Sequence, residues 1–118
     1  MHSGNIRRVE IIYFPAEILT RTRLTPDMLE KQWRYKVIIN DFQSAPMEKK
    51  MLAAISNSTF ERTEVQADLR WGCAFYNDKN DRVISLYFDA VGKAGIVNNE
   101  PVASNGKLVK LLKETCAA

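Results

Sequence analysis

The sequence predicts an α+β fold, with an antiparallel sheet of about four to five strands and two to three helices packed mainly on one face. Three observations carry this expectation. First, Ala67, Leu69, Trp71, Cys73 and Phe75 alternate with Asp68, Arg70, Gly72, Ala74 and Tyr76. That period of two is the signature of a strand over 67–76. Second, Asn77, Asp78, Lys79, Asn80 and Asp81 are turn residues, and 82–89 returns with Ile84, Leu86 and Phe88 alternating. The two segments therefore read as a hairpin. Third, Leu108, Val109, Leu111 and Leu112 fall on one side of a helical wheel over 105–116, and Lys107, Lys110 and Lys113 on the other. Ser104 is its expected cap.

The remaining elements follow in order. Residues 9–14 are apolar and rich in β-branched and aromatic side chains, and Pro15 ends that strand. Residues 18–24 fit no single period. Thr25, Pro26 and Asp27 then make a helix start: a hydroxyl for the free N–H groups, a ring suited to the first turn, and a charge that complements the positive end. This helix runs over about 26–33. Tyr35, Val37 and Ile39 alternate with Lys36, Ile38 and Asn40 as a second strand. A helix capped by Ser44 is expected to about residue 57, with Met47, Met51, Leu52 and Ile55 on its apolar side. The polar run 56–63 reads as a loop. Turn residues at 92–95 and at Asn98 and Asn99 bracket a smaller hairpin over 94–97 and 100–103. No repeat or linker divides the chain, so one domain over 1–118 is expected, with 1–7 as a flexible tail.

Composition narrows the function classes. The 118 residues suit one core, with 46% hydrophobic and 26% charged side chains. No run approaches the ~18–20 apolar residues of a membrane span. A net charge of +3 is too small to mark a nucleic-acid surface, so direct nucleic-acid binding is not expected. The charge is uneven: the first third and the last helix are basic, and the middle is acidic. No apolar leader follows Met1, and two cysteines suit a reducing compartment, so a cytoplasmic location is expected. The periplasm is the alternative if a signal peptide was removed. Cys73 sits mid-strand as a buried thiol, and a disulfide from it to Cys116 would tie the last helix to the sheet.

Motifs for catalysis are sparse. The single histidine, His2, stands at the terminus, where no scaffold holds it as a base or ligand. Two distant cysteines make no zinc set, the glycines have no phosphate-loop spacing, and 78–81 lacks the glycine and glutamate of a calcium loop. No metal or cofactor is expected. Asp68, Arg70 and Tyr76 share one row of the clearest strand, with Tyr87 as a potential neighbour. They are the candidate set for a small ligand-binding or enzymatic domain; the plainer reading is a solvated face with cross-strand charge pairs. Arg21 and Arg23 are spaced to project to one side of an extended segment, as contacts for phosphate or an acidic partner; the plainer reading is a solvated edge. Trp33, at a helix end, is a candidate interface anchor.

Residues 9–15, then 18–22 and Leu24-Thr25-Pro26, then 35–41 and Asp68-Leu69-Arg70 form an outline that resembles small bacterial toxin-neutralising proteins, including the immunity proteins of contact-dependent growth-inhibition systems. The resemblance spans most of the chain as an order of strands and turns. It implies a non-enzymatic inhibitor that binds the toxin of its own strain and covers an active site. For a nuclease toxin, such an inhibitor is expected to be acidic; this chain departs from that pattern by its net positive charge. Under this reading Glu61, Glu64 and Asp68 would meet a basic toxin locally, or Arg21 and Arg23 an acidic one, with Trp33, Arg70 and Tyr76 completing the expected partner-binding set.

Overall fold

A computed structural model describes residues 6–15, 17–18, 22–40, 49–51, 53–54, 60–63, 67–97 and 99–116, the side chains of 115 and 116 excepted. The elements are β1 (Ile6–Tyr13), α1 (Pro26–Gln32), β2 (Tyr35–Ile39), α2 (helical residues 49–51 and 53–54), β3 (Phe60–Arg62), β4 (Trp71–Asn77), β5 (Arg82–Phe88), β6 (Ala94–Val97), β7 (Glu100–Ser104) and α3 (Lys107–Cys116). Seven strands form one antiparallel sheet in the order β2-β1-β4-β5-β6-β7-β3.

The fold is α+β as expected, but the sheet is larger than four to five strands. The small hairpin forms fully, and 60–62, read as loop, adds an edge strand through Phe60 opposite Ser104. Its three residues, two of them charged, carry too little alternation to be recognised; the open edge of β7 supplies the pairing. β1 also starts early. Ile6 is buried in the core, so the last two residues of the expected tail belong to the sheet.

Each face of the sheet has its own apolar cluster. Val9, Ile11, Trp71, Cys73, Phe75, Leu86 and Phe88 point to one side, where Met51 of α2 and Leu108, Val109 and Leu112 of α3 cover them. Ile12, Leu69 and Tyr87 lie on the other with Phe14, Leu24 and Leu29 of α1. Two helices thus share one face and α1 takes the opposite one. Thr25 caps α1 by accepting the Met28 N–H at 3.3 Å, with Pro26 in the first turn. The α3 helix begins at Lys107 rather than at 105: Ser104 completes β7, and Asn105 Oδ1 accepts the Lys107 N–H at 3.2 Å instead.

The strand expected over 67–76 is shorter, and its first half turns away. The ladder starts at Trp71, and Leu69 joins the α1-side cluster rather than the row of Trp71. The cause is local. Asp68 Oδ1 accepts the Leu24 N–H at 2.7 Å, and Leu24 O accepts the Leu69 N–H at 3.1 Å, so 67–70 follows the 22–25 segment.

Candidate recognition site

Three cross-strand rungs organise the face that α1 only partly covers. Arg8, Tyr76 and Arg82 are paired across β1, β4 and β5. Next come Ile38, Glu10, Ala74 and Ser85, and then Lys36, Ile12, Gly72 and Tyr87, each spanning β2 to β5. Strict alternation along β5 would send Arg82 to the side of Ile84, Leu86 and Phe88. A bulge prevents this: Phe75 pairs with Ile84 but Tyr76 with Arg82, leaving Val83 as the extra residue. Such a bulge re-aims a side chain, here the guanidinium, onto the polar face.

The side chains of these rungs join into one chain of contacts. Lys36 Nζ lies 2.8 Å from Glu10 Oε1, and Arg8 Nε donates to Glu10 Oε2 at 2.9 Å. The Arg8 guanidinium stands 4.1 Å from the centre of the Tyr76 ring and also donates to Asn80 Oδ1. Arg82 Nη2 donates to the Tyr76 hydroxyl at 2.9 Å, and its Nη1 donates to Glu30 Oε1 of α1 at 2.6 Å. Tyr87 closes the series by donating to Glu30 Oε2 at 3.0 Å. From the edge strand the charges run positive, negative and positive, then positive again across the Tyr76 ring, and negative at the helix.

Gly72 and Ala74 make the floor beside this ladder, with Trp33, Lys36 and Glu30 among the walls. A Cβ on Gly72 would stand 2.8 Å from Ile12 Cγ1, so glycine lets Ile12 and Tyr87 close over β4. The hollow above the floor holds about 50 Å³. Small-molecule sites hold ~300–1,000 Å³, so the space suits one inserted side chain rather than a metabolite.

Electrostatics fix the protonation of the ladder. Burial pushes the Glu10 carboxyl up, but the hydrogen bonds and charges of Lys36 and Arg8 outweigh it and hold Glu10 below its ordinary value. Burial, joined by Glu30 as acceptor and neighbouring charge, raises Tyr87 to about 12. Burial works against the charge of Arg82, yet its bonds to Tyr76 and Glu30 raise it on balance. At neutral pH the three are a carboxylate, a phenol and a guanidinium. The ladder presents fixed charges and oriented donors.

The residues expected from the sequence are dispersed. Tyr76 belongs to the ladder, and Trp33, at the C-cap of α1, lines the hollow with Lys36 Nζ 5.4 Å from its ring centre. Asp68 and Arg70 lie beyond the other end of β4, bonded to each other. Arg23 is exposed and lines a separate hollow with Leu24, Ala67 and Pro101. Glu61 is exposed on β3, the opposite edge from β2. Arg21 and Glu64 lie outside the described residues. Cys73 is buried as expected, and the side chain of Cys116, hence the bridge, lies outside the description.

Sequence reading missed Arg8, Glu10, Glu30, Lys36 and Arg82. Arg8 and Glu10 alternate with Val9 and Ile11, so that signal was present. The Glu30–Arg82 pair, 52 residues apart, leaves none. Among the described residues no helix is long and apolar enough to cross a membrane, and no three metal-ligating side chains converge. Fold and site together describe an α+β sheet protein with a face of linked cations and carboxylates. The chain matches no protein-family model, no curated protein and no solved structure.

Proposed function

We propose that this protein is a non-catalytic binding protein of the cytoplasm that neutralises a cognate bacterial toxin by forming a protein–protein complex, as immunity proteins do. The observation that carries the reading is a cluster of anchor-type side chains beside the ladder. Trp33 and Ile38, two of the six large hydrophobic residues exposed among the described residues, flank the ladder at the β2 edge, and Tyr35 projects from the same edge on the opposite face, stacked on Tyr13. Tryptophan, tyrosine and arginine dominate binding energy when a partner buries them against a fixed surface. Here the neighbouring charges are already held in place by one another, so little order is lost on association.

The alternative of a ligand or catalytic set built from Asp68, Arg70 and Tyr76 has less support. Arg70 turns its donors onto its own chain, and Tyr76 stands six residues further along, roughly 20 Å in an extended strand. Co-expression with the product of the neighbouring gene tests the proposal. A complex on size exclusion, with rescue of growth, is expected. Failure of both binding and rescue would remove the toxin-neutralising role.

A further inference from the structure

We infer that the Arg8–Tyr76–Arg82 rung is an anchor for a carboxylate side chain of the partner protein, an inference that rests on the binding role proposed above. Both guanidiniums flank one ring, Arg8 at 4.1 Å and Arg82 at 5.5 Å from the Tyr76 centroid. Their side chains are 26% and 37% exposed, so each is held yet reachable.

A guanidinium has five N–H donors. Arg82 commits Nε to Tyr76, Nη1 to Glu30 and Tyr87, and one Nη2 hydrogen to Tyr76. One Nη2 hydrogen is left without an acceptor among the described residues. Arg8 commits Nε to Glu10 and one Nη1 hydrogen to Asn80, which leaves three without an acceptor among the described residues. Two cations with spare donors beside one phenol ring make a cradle for an anion, and guanidinium N–H bonds to a carboxylate are the strong kind.

Charge selects the ligand. Arg8, Lys36 and Arg82 against Glu10 and Glu30 leave the cluster one positive charge in excess. One carboxylate neutralises it. The successive phosphates of a nucleic acid would meet Glu10 and Glu30 on either side. The cradle therefore fits a glutamate or aspartate on a protein surface.

The test is a titration of the ¹⁵N-labelled full chain, followed by the arginine Nε–Hε signals, with a capped peptide of alternating glycine and glutamate and with its glutamine analogue. Saturable shifts of Arg8 and Arg82 with the glutamate peptide alone are expected. Apparent affinity should fall at least tenfold in Arg8→Gln/Arg82→Gln and stay unchanged in Arg62→Gln, on the far edge strand β3. Equal response to the glutamine peptide, undiminished binding by the double variant, or tighter binding of a DNA oligonucleotide at the same signals would overturn the anchor. Rescue of growth that survives the double substitution would remove the anchor and leave the toxin-neutralising role. Peptide binding at the rung without rescue by the wild-type chain would support the anchor and remove that role.

Discussion

Two arginine–carboxylate pairs stand at opposite ends of β4, and their surroundings give them opposite uses. Arg70 is 5% exposed, bonds Asp68 through Nε and Nη2, and donates Nη1 to the Pro15 and Ile18 carbonyls. Phe14 lies under its guanidinium at 5.1 Å. Every one of these contacts is internal, and together they tie Phe14, Pro15 and Ile18 to the sheet. Arg82 forms a pair of the same chemical type with Glu30, but its other partners are tyrosine hydroxyls and its side chain is 37% exposed. The first pair staples Pro15, Ile18 and Leu24 to the end of the sheet. The second sets out charge where another molecule can meet it. Residue type alone does not separate them; what occupies the remaining donors does.

The contrast can be broken most sharply at Arg70. Arg70→Gln cannot reach two backbone carbonyls and Asp68 together, so urea unfolding should show a loss of about 2–4 kcal/mol, most of it from the carbonyls left without a donor, since Asp68 itself is half-exposed. Gly72→Ala comes next, at about 1–3 kcal/mol, because its Cβ must displace Ile12 from a filled face. Arg82→Gln should cost under about 1 kcal/mol in the same assay, as part-exposed pairs do, while weakening peptide binding. A loss at Arg82 equal to that at Arg70 would erase the distinction.

Smaller effects follow from pH. Tyr87 ionises near 10 when unfolded and about 12 when folded, so the unfolded chain gives up its proton first. Its contribution is complete below pH 10 and is lost as pH rises to 12; Tyr87→Phe should flatten that part of the profile. Glu10 acts at the acid end. Its folded value lies below the ordinary 4.5, so its contribution is present above that value and fades as pH falls through the folded one. Thermal unfolding from pH 7 to 3, compared with Glu10→Gln, measures the difference.

The comparison also shows what a single sequence can carry. The 71–77 and 82–88 strands, the Asn77 turn and the apolar stripe of α3 were legible because each depends on spacing within about ten residues. Asp68 and Arg70 stood out for the same reason, being two apart on an apparent strand, and the structure gives them to the scaffold. Arg82 was hidden twice. Its partner Glu30 lies 52 residues away, and the bulge at Val83 reverses the face that alternation assigns it. Bulges and helix-to-sheet contacts are set by tertiary packing, which local periodicity does not encode. The polar strand β3 was missed on the same ground, since only β7 makes it a strand.

The most direct test is hydrogen exchange at the arginine side chains of the unmodified protein, read in one spectrum. Arg70 is buried and bonded inward, whereas Arg82 opens to solvent without any unfolding of the sheet. Exchange at Arg70 Nε–H is expected to be at least about tenfold slower than at Arg82 Nε–H, because burial makes it depend on local opening. Equal rates at the two positions, or slower exchange at Arg82, would contradict the assignment of one pair to the scaffold and the other to recognition.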